Sequence, residues 1–248
     1  RRELSHRESA EKIGFVMQDP DSQTVCDKVS AELAFGLESF GVKSGEIQSR
    51  VGEMAAFFGI EPLYDRDIST LSGGQKQLVA LCSVMVTDPD ILLLDEPTAQ
   101  LDPVAARELL GILDRLNKEM GVTIIIAEHD PEELFDSCDK ILYLAKGKTE
   151  FFCTPALTAK YFVENALEGF LPETAKAFAG LCDDLPLNVR QGRAKLEKLG
   201  VSDIPKQAVN AAESTEPYAL QCKNLWQRYE KNSPDILKGC DLAVRKGE

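Results

Sequence analysis

The chain has 248 residues, with 28 lysines and arginines against 41 aspartates and glutamates, so its formal net charge is −13. With 44 % hydrophobic and 28 % charged residues it can bury a core, which excludes disordered and low-complexity classes, and its acidity argues against nucleic acid as a partner. No apolar run approaches the roughly 20 residues that cross a bilayer, so we expect a cytoplasmic protein.

Short apolar runs alternate with helical stretches from Ile13 to about Gly147, which predicts a parallel α/β sheet. The predicted strands begin at Ile13, Ile91, Val122 and Ile141. Nearly continuous apolar runs of this length are typical of strands that are buried on both faces. The seven cysteines are scattered and never spaced as Cys-x-x-Cys, which favours reduced thiols.

The first predicted strand ends at Gln18, and a turn follows through Pro20 to Gln23. A glutamine at a strand end can ligate Mg²⁺ or orient a water molecule. Taken alone, the same pattern is also typical of an ordinary turn.

Leu71–Gln75 reads Leu-Ser-Gly-Gly-Gln and begins a predicted helix. Ser72 can cap that helix, and Gly73 and Gly74 let the backbone approach a phosphate closely. The N-terminal amides of the helix favour an anion. The segment therefore predicts a phosphate contact, although a Ser-Gly-Gly turn by itself more often only starts a helix.

The run from Ile91 ends in two adjacent carboxylates, Asp95 and Glu96. Open α/β sheets bind ligands at the carboxyl ends of their strands. Because successive side chains diverge there, Asp95 suits an outer-sphere Mg²⁺ contact and Glu96 suits polarising a water for attack on a phosphate.

A helix is predicted between Asp102, which can cap it, and Gly121, which can end it. The next strand ends at His129, one of only two histidines in the chain. Because that end lies at the same predicted sheet edge as Asp95 and Glu96, His129 can contact a terminal phosphate.

After Thr154 the character of the sequence changes. Helix starts at Thr154–Pro155, Pro172 and Leu187–Asn188 predict a helical connector. Residues 154–216 contain seven basic and nine acidic residues, so this connector is nearly neutral. The composition of residues 202–217 is typical of a linker. Beyond it, two strands predict an antiparallel hairpin in which Cys240, Leu242 and Val244 share one face.

Taken in order, these motifs closely resemble those of ATP-binding cassette (ABC) ATPases over roughly residues 10–150. By this resemblance Gln18 lies in the Q-loop, Leu71–Gln75 is the signature segment, Leu92–Glu96 is Walker B, Thr98–Asp102 is the D-loop and His129 is the switch histidine. The resemblance implies the α/β fold of a P-loop NTPase, with a helical signature subdomain, that uses ATP and Mg²⁺. The implied roles are catalysis for Glu96, His129 and Gln18, nucleotide binding for Ser72, Gly73, Gly74, Gln75 and Asp102, and metal binding for Asp95 and Gln18.

Two residues depart from the pattern of that family. Glu128 stands where the family more often has threonine, and we expect a mild effect. Gln100 stands where glycine is usual in the D-loop, and it adds a side chain beside the nucleotide interface.

The Walker A motif, which grips the triphosphate, is missing from the 248 residues. Gly147–Thr149 reads Gly-Lys-Thr, but the earlier glycine that the motif needs is Leu142, so we expect a hairpin turn there. The chain therefore resembles the interval between the two Walker A motifs of a tandem ABC ATPase, and by itself is expected to be inactive.

This reading divides the chain into an incomplete first ABC domain (1–153), a helical connector and linker (154–216) and the opening β-hairpin of a second ABC domain (217–248). In such tandems, the residues Ser72 to Gly74 face the P-loop of the second domain. Tyr229 matches the aromatic residue that stacks on adenine; the alternative is that it packs locally within the hairpin.

The Gln18–Gln23 turn, the Ala34–Leu37 run and the Leu92–Pro103 block most resemble ATPases of energy-coupling-factor importers, which take up vitamins or cobalt. In that group, fused tandem forms have a short helical connector with a Leu-Pro-Leu segment, which corresponds here to Leu185–Leu187. The resemblance implies a transmembrane importer subunit as partner, docked near Gln18–Gly41, and a peripheral place on the cytoplasmic face of the membrane. One alternative is a tandem ABC ATPase acting on ribosomes, although the near-neutral connector disfavours RNA contact. The other alternative is a non-catalytic binding module, but the presence of Glu96 and His129 argues against it.

Overall fold

The computed structural model of the chain describes residues 5–129, 131–132, 134–200, 217–229, 231 and 233–246. The chain divides into two compact units, one up to Gly200 and one after it, and each is described by itself. The linker predicted over 202–217 lies outside the described residues except for Pro217.

A three-stranded parallel sheet lies at the centre of the first unit. Its strands are β1 (Ile13–Val16), β2 (Ile91–Asp95) and β3 (Thr123–Ala127), in the order β1-β2-β3. The register places Phe15 beside Leu93 and Leu93 beside Ile125. The parallel α/β architecture predicted from the sequence is confirmed for the strands that begin at Ile13, Ile91 and about Val122. The prediction that the run from Ile141 belongs to the same parallel sheet is wrong: it pairs antiparallel with the strand that follows it, because the two-residue turn at Lys146 and Gly147 is too short for a crossover between parallel strands.

Only one face of this sheet is covered by the described residues. Val16, Leu92 and Leu94 on that face are buried, whereas Phe15 and Ile125 on the other are 47 % and 57 % exposed. The expectation of strands buried on both faces is therefore wrong for the described structure, because the helices of the first core cluster pack on one face alone. The apolar residues of the other face (Phe15, Leu93 and Ile125) are called the open face below.

The helices of this unit are α1 (His6–Lys12), which precedes β1, and then α2 (Pro20–Gln23), α3 (Val29–Ser39), α4 (Ser44–Phe58), α5 (Gly73–Met85) and α6 (Pro103–Met120), with 3₁₀ turns at Glu61–Leu63 and Ile68–Thr70. Helices α3 to α6 supply the helical residues of the first core cluster, which includes the covered face of the sheet. Asp102 caps α6, and Gly121 ends it in the left-handed conformation with φ 72°. Both ends of α6 lie where the sequence predicts them.

Cys82 lies in the middle of α5 with its side chain in the first core cluster. It is fully buried, and burial raises the pKa of its thiol. Apolar packing on all sides, rather than any polar partner, is the cause of that shift.

A second, smaller hydrophobic cluster lies later in the first unit. It is built by the hairpin β4 (Ile141–Ala145) and β5 (Lys148–Cys153), by α7 (Pro155–Glu164), α8 (Glu173–Phe178) and α9 (Val189–Lys198), and by a 3₁₀ turn at Glu168–Phe170. The helix starts predicted at Pro155, Pro172 and Asn188 are confirmed to within one residue. Phe135, which precedes the hairpin, is fully buried in this cluster. The domain boundary at residue 153 stays a prediction.

The turn of the first hairpin consists of Lys146 and Gly147, both with positive φ (49° and 73°). Two such residues form the tight turn whose twist suits a hairpin, and glycine adopts that conformation at little cost. The Gly-Lys-Thr sequence therefore lies at a hairpin, as the sequence predicts.

The second unit is an antiparallel hairpin of β6 (Tyr218–Gln227) and β7 (Leu237–Arg245). Its register shifts around Asn224, which has φ 51°. The face predicted to carry Cys240 and Leu242 is exposed. Among the helices that the structure describes in either unit, none is long and apolar enough to cross a membrane.

Candidate functional site

The carboxyl ends of the three parallel strands bring the predicted catalytic residues to one edge of the sheet. Gln18 follows β1, Glu96 follows β2 and His129 follows β3. Parallel strands place their carboxyl ends side by side, and polar residues there need not be buried in the core. Side chains that are 33 to 111 residues apart in the sequence can therefore meet, and here they do.

Glu96 is the residue on which the other two converge. The amide Nε2 of Gln18 donates a hydrogen bond of 2.7 Å to Glu96 Oε2, and His129 Nδ1 lies 3.3 Å from Glu96 Oε1. The second contact is a hydrogen bond when Nδ1 carries a proton. The Glu96 side chain is 30 % exposed and that of His129 71 %, so water reaches the group.

The backbone of Glu96 adopts a conformation that is unusual for a residue with a side chain. Its φ is 43°, in the left-handed region, and its N–H donates to the carbonyl of Ala127 on β3 at 2.9 Å. Such a conformation costs about 1 kcal/mol or more in a non-glycine residue, so neighbouring contacts must hold it. Asp95, the last residue of β2, is exposed.

Glu128 also contacts the loop after β2. Its Oε1 accepts hydrogen bonds from the hydroxyl of Thr98 at 2.7 Å and from the N–H of Thr98 at 3.3 Å. The sequence marks Glu128 only as a departure from the family pattern. Its partner is 30 residues away, so nothing in the local pattern indicates the contact.

The signature segment forms the N-terminus of α5. Ser72 caps the helix by accepting from the N–H of Gln75, whose side chain accepts in return from the N–H of Ser72. This reciprocal pair confirms the predicted helix start. Ser72 and Gln75 bond to each other here, and in the described part of the chain neither bonds to Glu96 or His129.

Gly73 and Gly74 lie close to the D-loop and to the start of α6. A Cβ atom on Gly74 would lie 3.1 Å from the Cβ of Ala105, and one on Gly73 would lie 3.8 Å from the carbonyl oxygen of Gln100. A side chain at position 74 would therefore crowd Ala105 at the start of α6, independently of any phosphate.

Two further residues, Asp102 and Tyr229, are predicted to bind nucleotide. Asp102 caps α6: its carboxylate accepts from the N–H groups of Ala105 and Val104, and these bonds hold its pKa below its usual range. Tyr229 follows β6 in the second unit, where it is 87 % exposed.

The segment after Gln18 is fixed by polar contacts that the sequence analysis did not identify. Gln23 folds back on β1: its Oε1 accepts from the N–H of Met17 at 2.8 Å, and its Nε2 donates to the carbonyl of Phe15 at 3.4 Å. Glu32 on α3, only 5 % exposed, accepts from the N–H groups of Val25 and Cys26. A buried glutamate in an otherwise apolar helix pattern is the one signal that could have indicated the second contact.

An ion pair joins the same segment to the signature helix. Lys76 Nζ on α5 lies 2.6 Å from Asp21 Oδ1 on α2. The Lys76 side chain is mostly buried, although its partner is exposed. The elements that carry Gln18 and the signature segment are thus connected by charge as well as by packing.

The described residues offer oxygen atoms to a cation at this edge but no complete site. No three His, Cys, Asp or Glu side chains of the described ranges are grouped so as to hold a metal. The amide nitrogen of Gln18 donates to Glu96, so the amide oxygen is the atom that Gln18 can offer to a cation. Asp95, which precedes Glu96 in the sequence, is exposed. Oxygen donors of this kind suit Mg²⁺, which takes its other ligands from water and phosphate.

Three comparisons identify proteins to which this chain is similar. A family model described as ABC transporter matches residues 2–99. A protein of Bacillus thuringiensis subsp. konkukian, named as an ABC transporter ATP-binding protein, is 38 % identical over 242 residues, which cover 97 % of this chain and 44 % of that protein. A Streptomyces coelicolor protein named in the same way is 44 % identical over 274 residues, covering 98 % of this chain and 47 % of its own length.

A solved structure is similar as well. It is described as cbiO1 from Clostridium perfringens, part of the ABC transporter complex cbiONQ. The identity is 34 %, the TM-score is 0.60, and the match covers 72 % of this chain and 71 % of that one. The chain spans less than half the length of the Bacillus and Streptomyces relatives.

Proposed function

Since the chain belongs to the family of ABC transporter ATP-binding proteins, an ATP-hydrolysing class of enzymes, we propose that it is the catalytic and signature part of an importer ATPase of the energy-coupling-factor type. The observation that carries the proposal is the convergence of Gln18 and His129 on the carboxylate of Glu96. The likeness to a protein of the cbiONQ complex supports the importer type, with a vitamin or transition-metal ion as the transported substrate.

Glu96 is the general base of the proposed hydrolysis. Its carboxylate accepts a proton from the attacking water, and Gln18 and His129 hold that carboxylate from opposite oxygens. Asp95, by an outer-sphere contact, and the amide oxygen of Gln18 would hold Mg²⁺, which would supply positive charge that offsets the charge of the phosphates. The exposed ring of His129 is free to turn towards a terminal phosphate.

The Walker A motif belongs, in this proposal, to other parts of a longer protein. The open face of the sheet supports this, because parallel sheets are normally covered on both faces and Phe15 and Ile125 are large apolar residues. The greater length of the relatives supports it too. The second-unit hairpin, with Tyr229 in the segment after β6, then begins a second ABC domain.

The docking surface for a membrane subunit is the segment Gln18–Gly41. Val25 and Phe35, two large apolar side chains of this segment, are exposed, and such side chains suit contact with a partner. A protein docked there lies on the cytoplasmic face of the membrane as a peripheral subunit. Its contact is transmitted to Gln18 through the polar links of Gln23 and Glu32.

The test of the proposed function is Glu96→Gln in the protein made from its complete gene, assembled with its membrane subunit. General-base catalysis contributes roughly 10²–10⁴-fold, so we expect ATP hydrolysis to fall by about a hundredfold or more while ATP binding is kept. Glu108→Gln, an exposed residue on α6, is the matched control and should hydrolyse ATP normally. Undiminished hydrolysis by Glu96→Gln would show that Glu96 is not the base.

A further inference from the structure

Three consecutive residues at the end of β3 hold the loop that follows β2. The carbonyl of Ala127 accepts from the N–H of Glu96 at 2.9 Å. Next, the carboxylate of Glu128 accepts both hydrogen bonds from Thr98, and His129 Nδ1 lies 3.3 Å from Glu96 Oε1. Thus all three residues contact the loop after β2, Ala127 and His129 through Glu96 and Glu128 through Thr98.

That loop needs such support. Glu96 has its φ in the left-handed region, and Pro97 after it is buried. From there the chain turns twice, with the N–H of Ala99 donating to the carbonyl of Glu96 and the N–H of Leu101 donating to that of Thr98. Thr98 is therefore the residue that connects the turn carrying Glu96 to the remainder of the D-loop.

We propose that Glu128 is a positioning residue, whose carboxylate fixes Thr98 and thereby the direction of the Glu96 side chain and the course of the D-loop. The inference rests on the proposed role of Glu96 as general base and adds a residue to it. Glu128 is half-buried, and a charged acceptor in such a place forms stronger hydrogen bonds than a neutral one. Without it, the strained turn at Glu96 keeps its backbone bonds to Ala127 and Ala99 and its side-chain contacts, but Thr98 loses its anchor on the end of β3.

The mechanism of the effect is geometric. A general base must lie within hydrogen-bond reach of the water whose proton it takes, and displacements of about 1 Å can lower rates a hundredfold. Glu128 does not touch the reacting atoms, so its removal should lower kcat rather than weaken ATP binding. Threonine, the more usual residue at this place in the family, is two bonds shorter and cannot offer a carboxylate to Thr98.

The test compares variants of the complete protein with its membrane subunit. Glu128→Ala removes the acceptor, Thr98→Val removes the hydroxyl donor but keeps the shape, and Glu128→Gln and Thr98→Ser keep a hydrogen bond in each case. We expect Glu128→Ala to lower kcat about tenfold with KM for ATP within about twofold, since hydrogen bonds to charged groups are worth roughly a factor of ten or more. Glu128→Gln and Thr98→Ser should restore most of the rate.

The double variant Glu128→Ala/Thr98→Val separates positioning from unrelated damage. If the two residues act through one contact, the double variant is no slower than Glu128→Ala alone. Independent, multiplying losses would overturn the inference, and so would an unchanged kcat in Glu128→Ala. A fall in kcat that only follows a lower urea midpoint would also overturn it.

Glu108→Ala on the exposed side of α6 is the matched control and should leave kcat unchanged. The Glu96→Gln variant distinguishes the two proposals. If Glu96→Gln stops hydrolysis but Glu128→Ala does not slow it, only the positioning role fails; if Glu96→Gln hydrolyses ATP normally, the proposed role of Glu96 fails.

Discussion

Gly14 on β1 shows how a single residue fixes the distance between the sheet and α5. A Cβ atom there would lie 2.3 Å from Val84 Cγ1, 3.2 Å from Pro89 Cγ and 3.3 Å from Leu92 Cδ1. Val84 is β-branched and Pro89 is a ring, so neither side chain can turn away freely. The strand that delivers Gln18 to the site therefore lies against the signature helix only because residue 14 has no side chain.

We expect Gly14→Ala to lower the free energy of unfolding by about 1–3 kcal/mol, the usual cost of overpacking. Gly52→Ala on α4 is the matched control: nothing lies within 4 Å of a Cβ atom there, and alanine in a helix is favoured over glycine by about 0.5–1 kcal/mol. Urea unfolding of both variants checks this. Equal midpoints for the two variants would contradict it.

At this scale the sequence predicts residues at strand ends but not the side chains that support them. Gln18, Glu96 and His129 could be assigned to one sheet edge because each lies within two residues of the end of an apolar run. Gln23 and Glu128 could not be assigned a partner, because each bonds to a group whose place depends on the folded chain. Such side-chain contacts have no periodicity that a sequence reveals.

At the scale of the element, α6 depends on an ionised cap. The N–H groups of Ala105 and Val104 hold the pKa of Asp102 below its ordinary value. A carboxyl whose folded pKa is depressed contributes stability above its unfolded pKa and loses it as the pH falls through the folded pKa. The contribution of Asp102 is thus complete at neutral pH and is lost in acid.

We expect Asp102→Asn, which keeps an oxygen cap without a charge, to be less stable than the parent at pH 7 and to approach it as the pH falls below about 4, near the unfolded pKa of an aspartate. Urea unfolding over a pH series measures the gap between the two proteins. Because both carry all the other carboxylates, general acid destabilisation cancels in the difference. A gap that stays constant with pH would contradict the prediction.

Helix ends were predictable because their signals are local. The capping residues lie at helix ends: Ser72 and Gln75 at the start of α5, Asp102 and Gly121 at the two ends of α6, and Asn188 at the start of α9. The open face was not predictable in this way: an apolar run indicates that a strand is buried, but not which segment covers it. The packing of Phe135 with helices that come later in the chain likewise depends on tertiary contacts.

For the whole molecule, the distribution of motifs predicts weak nucleotide binding. The 248 residues contain the signature segment and the edge residues around Glu96 but no Walker A motif, which supplies most of the grip on a triphosphate. Under the proposed function, a chain with these edge residues but without that loop is expected to have little affinity for nucleotide.

We therefore expect residues 1–248 by themselves to bind MgATP only weakly, with no saturation at micromolar concentrations, in isothermal titration calorimetry. The complete protein is the positive control. Micromolar affinity of residues 1–248 that is lost in Asp95→Asn and Glu96→Gln would contradict the prediction, because these residues would then suffice for binding.

The reactivity of Cys82 can report on the opening of α5. Only a thiolate reacts quickly with an alkylating reagent, and the Cys82 thiol is both fully buried and held protonated by its apolar surroundings. Alkylation must therefore wait until α5 leaves the core, so its rate measures how often the signature helix opens. Nucleotide or a membrane subunit that steadies this helix would slow the labelling of one native cysteine, with no probe introduced.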